Sequence, residues 1–538
     1  MSRRLGVALA TLAAGAGLFT AAMLATAAAA RPTSGILKVG GTGNLDSVDP
    51  AIAYGTTSWM FEYATAAKLY NYSETGNGVL VPEVAKRLTV FRNGRVYQFF
   101  LRRGYRFSDG TAVTARSFAY AIQRAQNRRL GSPANDFISD KNGVDIVGVQ
   151  ANGLKLTIRL ARPAPELTAI LAMPFFQAAS SKLPLTQEVV RVNRVGDLPT
   201  AGPYAWSFND PNHQANLVRN RYYRGPRSHH LAGVEFDMRL NVNDCFQRTV
   251  SGDLDLGCVP PAEVQNVAAA YGVSRTRRVK TGRFWVKPTS CSNLVLINQI
   301  RDLFRDNASL RKAVNWAVDR TAVAGAYPPY GAAPWTHLLA PGVPGSISAR
   351  RLQPYSVRPN LAKARQLAAG HLRSGHIIVA YQSAGSVGPA SAQLLHQALV
   401  NLGFDQARID MRGFAGYNIY TAAGAKGAPF DLVLGVGYCD DSDPAAILGS
   451  FIQPAATGQY STDSAAYRKK LASISRRLKG GARLAALGRL DLEITRKLAP
   501  AVELTTATNN AFFSGRVDPR SLVYSPRFGW SFPALKLR

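Results

Sequence analysis

The chain has 538 residues, of which 46% are hydrophobic and 18% charged. This composition excludes a disordered chain, and the length predicts two or three domains. The net charge of +31 predicts a surface that attracts anions such as acidic lipid headgroups, cell-wall polymers or nucleic acid. Because the bases are spread along the chain without zinc-finger spacing or an aromatic–basic signature, we expect a generally solvated basic surface and no nucleic-acid partner.

Residues 1–30 have the layout of a secretory signal peptide. Two arginines near the N-terminus precede an uncharged stretch that ends in four alanines, directly before Arg31 and Pro32. The stretch is long enough to cross a bilayer, so an uncleaved anchor is the alternative, but its Ala, Gly and Thr content favours cleavage after Ala30. No cysteine lies nearby, which argues against a lipoprotein. We therefore expect an exported protein that is periplasmic or associated with the cell surface.

Short strands alternate with amphipathic helices along the rest of the chain, which predicts an α/β fold too long for one domain. Thr114 and Ser309 are predicted N-caps of two of these helices. The predicted elements are, in chain order, strand 37–39, strand 96–101, helix 114–128, strand 154–160, helix 242–250, strand 254–259, strand 294–297, helix 309–323, loop 326–346, helix 361–369, strand 377–381, helix 391–402, strand 430–436 and an interrupted helix 465–498.

Six motifs follow one another in a fixed order. They are LDSVDP at 45–50, a run from 97 to 115 that ends in FSDGTAVTA, AGPY at 201–204 followed by LVRNRYY at 217–223, SGDLDL at 251–256, the segment 298–320 that ends in AVDR, and PNLAKA at 359–364. In this order they resemble the motifs of the family 5 extracellular solute-binding proteins of ABC importers, which bind oligopeptides, dipeptides or nickel. The resemblance covers about residues 36–530.

The resemblance implies a two-lobed, periplasmic-binding-protein-like fold of type II. Two α/β lobes joined by a pair of crossing segments close on a ligand, and an extra subdomain is inserted in the first lobe. The implied domains are the signal peptide 1–30, lobe I at 36–75, 192–290 and 505–538, the inserted subdomain at 76–191, and lobe II at 291–504.

A cluster of carboxylates follows the predicted strand 430–436. Asp440, Asp441 and Asp443 lie within four residues, in a chain that is otherwise strongly basic. Carboxylates at the carboxyl end of a strand in an α/β lobe face the crevice, where they can receive a ligand's ammonium group. The alternative is a solvated turn that caps the next helix, which suits Asp443 before Pro444. We expect ligand contact from Asp440 or Asp441 and capping from Asp443.

This segment also resembles the G-W-C-x-D stretch of oligopeptide binders, in which the Asp takes the peptide's α-amino group and the Cys is disulfide-bonded to the start of the second lobe. The resemblance implies that Asp441 is the ammonium anchor and that Cys291 pairs with Cys439. Tyr438 stands in place of the family's Trp. The turn is also one residue shorter than in the family, and if the shorter turn shifts the position of the anchor by one residue, the anchor is Asp440.

The loop after the first strand is the second candidate anchor. Backbone N–H groups at Gly43 and Asn44 can bind an extended ligand backbone as a sheet edge does, and a plain turn is the alternative. Tyr54, Trp59 and Trp285 are candidate pocket-lining aromatics, with burial in the core as the alternative.

Two further cysteines, Cys245 and Cys258, are close in sequence, and in an exported chain this favours a second disulfide. The sequence lacks G-x-S-x-G, H-E-x-x-H and Walker A motifs, so we predict neither catalysis nor a cofactor. His229 and His230 lie in a polar segment, and we predict no metal site.

The predicted function is that of a monomeric, extracytoplasmic substrate-binding component of an ABC transporter. It captures a peptide between two closing lobes and delivers it to a membrane permease. Two alternatives remain open at this point: the same fold binding nickel, an oligosaccharide or another small cation, or a basic surface protein that binds the anionic cell envelope.

Overall fold

A computed structural model provides the structure of the chain. It describes residues 35–538, apart from 42–44, 75–78, 140–143, 187, 189, 274–279, 374, 417, 439–442, 455–457 and 478–479. The described residues contain no helix that is both long and apolar enough to cross a membrane.

One mixed sheet of eleven strands runs through the whole molecule. Its strands are, in spatial order, β15 (Ile409–Phe414), β14 (Ile377–Gln382), β16 (Leu432–Tyr438), β12 (Phe284–Ile297), β17 (Ala501–Phe513), β11 (Leu256–Gly257), β1 (Ile36–Gly40), β10 (Gly233–Asp237), β9 (Gln214–Arg219) and β8 (Tyr204–Asp210), with β13 (Ala332–Pro334) added against β17. We call the half of the molecule built on β1 and β8–β11 the first lobe, and the half built on β14–β16 the second lobe.

The two long strands β12 and β17 belong to both lobes. In the first lobe, β12 pairs with β17 from Phe284 to Pro288, and in the second lobe the pairing resumes at Ser292 and continues to Leu296. The ladder is interrupted between Pro288 and Ser292, where proline cannot donate a backbone hydrogen bond. This interruption is the only point in the ladder at which several successive residues of β12 are unpaired with β17.

Three smaller sheets complete the β-structure of the described residues. They are a four-stranded antiparallel sheet in the order β4 (Ala85–Phe91), β5 (Val96–Leu101), β7 (Lys155–Leu160), β6 (Ile146–Asn152), and the pairs β2 (Tyr70–Tyr72) with β3 (Leu80–Pro82) and β18 (Tyr524–Ser525) with β19 (Gly529–Trp530). We call the four-stranded sheet and the helix packed on it the inserted subdomain.

The α-helices of the described residues cover the sheets. They are α1 (Thr56–Thr65), α2 (Ala115–Gln126), α3 (Asn135–Ile138), α4 (Leu167–Ile170), α5 (Val242–Ser251), α6 (Val264–Tyr271), α7 (Ala308–Ala317), α8 (Arg320–Gly325), α9 (Leu361–Ala368), α10 (Val387–Leu402), α11 (Asn418–Gly424), α12 (Pro444–Ser450), α13 (Ala465–Arg477) and α14 (Gly480–Leu498). The alternation of strands and helices confirms the predicted α/β class.

The hydrophobic cores follow the two lobes. One core of the first lobe joins β1, α1 and β8–β10 to the C-terminal segment, including Trp206 and Phe532. A second core joins the inserted subdomain to α1, with Phe99 and Phe118 at its centre. The cores of the second lobe draw only on residues between 294 and 504. The domain boundaries inferred from the resemblance stay a proposal.

Several predicted elements agree closely with the structure, and three differ. Thr114 caps α2 with a reciprocal capping box, as expected for this residue before an amphipathic helix. The predicted helix 309–323 is two helices, because Val318 is extended and Asp319 starts α8 by accepting from the N–H of Ala322. The N-cap of α7 is Asn307 and not Ser309, and the predicted strand 254–259 is a two-residue strand.

Candidate ligand-binding crevice

Strands β1 and β16 both end near β12 and β17, the two strands that cross between the lobes. In the second lobe, β16 runs antiparallel to β12 and ends with Tyr438 opposite Ser292, next to the interruption of the ladder. In the first lobe, β11 runs antiparallel to β17, and β1 runs parallel to β11, so β1 also ends toward the crossing strands. In α/β lobes, ligands bind at the carboxyl ends of the strands. Here β1 of the first lobe and β16 of the second lobe both have their carboxyl ends toward the crossing strands.

The residues predicted to hold the ligand come directly after these strand ends. Gly43 and Asn44 follow β1, and Asp440 and Asp441 follow β16, but all four lie outside the described residues. Tyr438 is the last residue of β16, and only its backbone is described. Their roles in ligand binding therefore stay predictions.

Asp443 is the carboxylate of the cluster whose surroundings are described. Its Oδ1 accepts a hydrogen bond from the N–H of Ala445 at 2.8 Å, which makes it the N-cap of α12 as predicted. Arg483 of α14 pairs with both carboxylate oxygens at 2.8 and 2.9 Å. Because Asp443 is occupied in this way, the remaining candidates for a ligand's ammonium group are Asp440 and Asp441.

The loop of the first lobe that enters α1 is held by Asp46. Its Oδ2 accepts from the N–H groups of Tyr54 at 2.7 Å and Gly55 at 2.9 Å, while its own N–H donates to the hydroxyl of Ser58 at 3.1 Å. A carboxylate that accepts two backbone hydrogen bonds fixes the shape of a loop. Asp46 therefore anchors the segment just after the candidate ligand-binding residues Gly43 and Asn44.

The three candidate aromatics differ in their surroundings. Trp59 is a core residue, with its Nε1–H donating to the carbonyl of Ala53 at 2.8 Å. Tyr54 is 38% exposed and packs its ring 5.9 Å from the rings of both Trp59 and Phe175. Trp285 is half-buried at the start of β12, with the ammonium group of Lys287 4.7 Å from its ring. Tyr54 thus combines an exposed ring with a rigid support, whereas Trp59 serves the core.

Hydrogen bonds hold the part of β12 between Pro288 and Ser292, where the ladder is interrupted. The hydroxyl of Thr289 donates to the carbonyl of Ala507 at 2.9 Å, and the N–H of Gly342 donates to the carbonyl of Thr289 at 3.1 Å. A Cβ on Gly342 would lie 2.4 Å from that carbonyl oxygen, so only glycine allows this approach. Asn293 bridges the two strands by donating to the hydroxyl of Thr505 at 3.3 Å.

The cysteines are only partly as predicted. Cys245 and Cys258 are thiols, so the predicted disulfide between them is not formed and this prediction is corrected. Instead, the N–H of Cys258 donates to Sγ of Cys245 at 2.9 Å. A separate side-chain hydrogen bond with Cys258, together with burial, raises the pKa of the Cys245 thiol. Cys291 is disulfide-bonded. Cys439, its predicted partner, lies outside the described residues, so the pairing stays a prediction.

Three of the motifs that resemble the family make structural contacts in the first lobe and the inserted subdomain. Asp49 of the LDSVDP motif forms a buried, two-point ion pair with Arg124 of α2 at 2.6 and 2.8 Å. In the FSDG turn, Asp109 accepts from the N–H and the hydroxyl of Thr111. Gly202 of the AGPY motif donates to the carbonyl of Thr65 at 2.7 Å. These contacts hold the architecture of this part of the chain.

Sequence reasoning missed a second buried ion pair in this part of the chain. Arg227 donates from Nε to Oε1 of Glu83 at 2.9 Å and from its terminal nitrogens to the carbonyls of Tyr63 and Ala66. Lys68, fully buried beside this pair, lies 4.5 Å from the ring of Phe528, and burial lowers its pKa well below the usual range. No local pattern marks these residues, because their partners are distant in sequence.

Among the described residues, no group of three or more His, Cys, Asp or Glu side chains is arranged to hold a metal ion. His229 and His230 do not belong to such a group. The Nδ1 of His229 lies 3.2 Å from the carbonyl of Arg227.

The chain matches the family model described as bacterial extracellular solute-binding proteins, family 5 middle, over residues 79–459. It is 25% identical over 280 residues to a dipeptide-binding protein of Lactococcus lactis subsp. cremoris, covering 46% of this chain and 47% of that protein. It is 26% identical over 267 residues to a probable deoxycholate-binding periplasmic protein of Escherichia coli, with the same shares covered. The chain thus spans about half the length of the curated relatives that it matches.

A likeness to solved structures covers nearly the whole chain. The unliganded open form of a periplasmic murein tripeptide-binding protein matches with a TM-score of 0.72 and 20% identity, covering 94% of this chain and 98% of that one. At this identity the match establishes the fold alone. It confirms the two-lobed, periplasmic-binding-protein-like fold of type II that the sequence motifs implied.

Proposed function

Because the chain belongs to family 5 of the bacterial extracellular solute-binding proteins, we propose that it is the extracytoplasmic substrate-binding component of an ABC transporter. It captures a peptide in the crevice and delivers it to a membrane permease. The observation that carries this proposal is the convergence of β1 and β16 on the crossing strands, with Asp440 and Asp441 directly after β16.

The interruption in the β12–β17 ladder provides the hinge. No residue of β12 between Pro288 and Ser292 is paired with β17, so the chain can bend there with little change to the ladder on either side. A ligand that contacts the loops after both β1 and β16 binds the closed form more tightly than the open form. This difference in affinity shifts the population toward closure, and the closed form is what a permease recognises.

A peptide is the ligand class that best suits the candidate anchors. Its α-amino group carries a positive charge, which Asp440 or Asp441 can receive in a charge-assisted hydrogen bond. Its extended backbone matches the N–H groups expected near Gly43 and Asn44. The dipeptide-binding relative of Lactococcus lactis supports this class.

Peptide binding to the chain without residues 1–30 tests the proposal. We expect native mass spectrometry to detect peptides that co-purify and are lost on denaturation. Titration calorimetry with one such peptide should show that Asp441→Asn or Asp440→Asn weakens binding at least about tenfold, equivalent to about 1.4 kcal/mol. Acetylating the peptide's amino group should weaken binding to the unsubstituted chain similarly and add little to the loss in the sensitive variant.

The matched control is Asp410→Asn, an exposed carboxylate of the second lobe that pairs with Arg412. It removes the same charge from the same lobe and should leave peptide affinity unchanged. If neither Asp440→Asn nor Asp441→Asn changes the affinity, the ammonium-anchor role is wrong. If no peptide binds, the peptide class itself is wrong.

A further inference from the structure

The outer face of the four-stranded sheet β4–β5–β7–β6 is a surface with a regular arrangement of side chains. Opposed residues of antiparallel strands point to the same side, so the strand register defines three rows across this face. The rows are Arg87–Phe100–Lys155–Asn152, Thr89–Gln98–Thr157–Gln150 and Phe91–Val96–Arg159–Gly148. We call this surface the outer sheet face.

The opposite side of the same sheet packs on the core along β5 and β7. Tyr97, Phe99 and Leu101 alternate with the outer residues of β5 and are buried, and Leu156 and Ile158 do the same in β7. Helix α2 packs on that inner side. The outer sheet face, by contrast, has exposed residues on three of its four strands.

The outer sheet face is cationic. Arg87, Lys155 and Arg159 are exposed, none of them forms an ion pair within the described part of the chain, and the three rows contain no carboxylate. The guanidinium of Arg87 lies 4.0 Å from the centre of the Phe100 ring, which holds it over the sheet. With strands about 4.8 Å apart and about 3.4 Å per residue, the backbones of Arg87 and Lys155 are about 10 Å apart and those of Lys155 and Arg159 about 14 Å.

We propose that the outer sheet face is a docking surface for an anionic polysaccharide of the cell envelope. Separated cations on one sheet face match a polymer that carries charges at intervals, whereas a single compact anion would need convergent groups. The middle row adds side-chain amides and hydroxyls of Gln98, Gln150 and Thr89, which can bond to sugar hydroxyls.

The apolar residues of the face favour a glycan over a membrane surface. Phe91, 45% exposed at the end of β4, is the only aromatic ring of the three rows that is largely exposed. One exposed ring in the same row as Arg159 suits stacking on a sugar, but insertion into a bilayer needs a larger apolar surface.

Docking through this face would leave ligand capture unaffected. The inserted subdomain packs on the first lobe and contains neither β12 nor β17, so a polymer bound to it does not touch the crossing strands. The protein could therefore stay in the envelope while its lobes open and close. This role does not depend on the identity of the transported ligand.

Binding of the chain without residues 1–30 to immobilised polygalacturonate tests the proposal, with uncharged dextran as the blank. We expect R87Q/K155Q/R159Q to weaken binding about tenfold, as expected when three exposed charges are removed together. The matched control is K426Q/K469Q/R477Q, which removes three exposed charges from the second lobe and should change binding less than about twofold. F91A tests the stacking contact and should weaken binding without changing the net charge.

Three outcomes would overturn the proposal. Equal losses in the two triple variants would show that net charge alone attracts the polymer. Unchanged binding in R87Q/K155Q/R159Q would show that another surface is used. Tighter binding to phosphatidylglycerol vesicles than to polygalacturonate, abolished by the same substitutions, would assign the face to the membrane. Unchanged thermal unfolding of R87Q/K155Q/R159Q establishes that the variant is folded, and unchanged peptide affinity separates this test from that of the transport role.

Discussion

Replacing Asp49 with alanine should destabilise the joint between the inserted subdomain and the first lobe by about 3–5 kcal/mol. Asp49 and Arg124 are each 1% exposed, and their two hydrogen bonds are 2.6 and 2.8 Å long. Asp49 also accepts from the N–H of Ala51 at 3.0 Å, and Arg124 donates from Nε to the carbonyl of Pro184 at 2.8 Å. Removing the carboxylate leaves a buried guanidinium without a counter-charge, which accounts for most of the expected loss.

Urea unfolding followed by circular dichroism and tryptophan fluorescence measures this loss. Because a chain with several domains need not unfold in one step, the transition that shifts in Asp49→Ala is the one to compare. The control is Asp410→Ala, whose pair with Arg412 is 37% and 43% exposed, and which should cost less than about 1 kcal/mol.

A double substitution separates the loss of attraction from the burial of an unpaired charge. Asp49→Leu combined with Arg124→Met should be more stable than Asp49→Ala, because it removes both charges from the buried site. An exposed ion pair contributes at most about 1 kcal/mol to stability. If Asp49→Ala lowers the free energy of unfolding by less than that, the structural role of this buried ion pair is refuted. A double variant as unstable as the sum of the two single substitutions would refute the contribution of the unpaired charge.

Two further predictions concern buried positions. Glu503 of β17 is 1% exposed, and burial raises its pKa well above the usual range. When the pH rises above the ordinary pKa of a glutamate, the unfolded chain therefore loses a proton that the folded chain keeps. The destabilisation caused by burying the Glu503 carboxyl group therefore grows with pH. Glu503→Gln should raise the melting temperature more at pH 8 than at pH 5, and an equal shift at both pH values would contradict this. Gly202→Ala should lower stability by about 1–3 kcal/mol, because a Cβ there would lie 2.4 to 2.5 Å from backbone atoms of Thr65 and Ala66, and an unchanged unfolding midpoint would show that this contact relaxes freely.

Local features of the structure were accessible from the sequence. Thr114 before an amphipathic run identifies the start of α2, and the predicted strand 96–101 has the same bounds as β5. Asp443 before Pro444 predicts the cap of α12. Each of these depends on neighbours within a few residues, where capping and side-chain periodicity dominate.

Other features depend on residues that are far apart and were not predicted correctly. The predicted helix 309–323 ends early, because the guanidinium of Arg320 is buried and donates to the backbone carbonyls of Asn315 and Glu503, the latter from a strand of the main sheet. The pair Cys245 and Cys258 is adjacent as expected, but adjacency alone did not make a disulfide. Glu83 and Arg227 carried no local signal of their contact.

The sequence by itself determined the α/β class, the order of the motifs and hence the family, and the carboxylates placed after a strand. Those depend on residue types and short spacings, which are properties of the chain before it folds. Only the tertiary structure decided that Asp49 pairs with Arg124, that the crossing ladder is interrupted between Pro288 and Ser292, and that Arg87, Lys155 and Arg159 share one outer face. Strand register and burial bring distant residues together, and no local pattern encodes which partner a buried charge will meet.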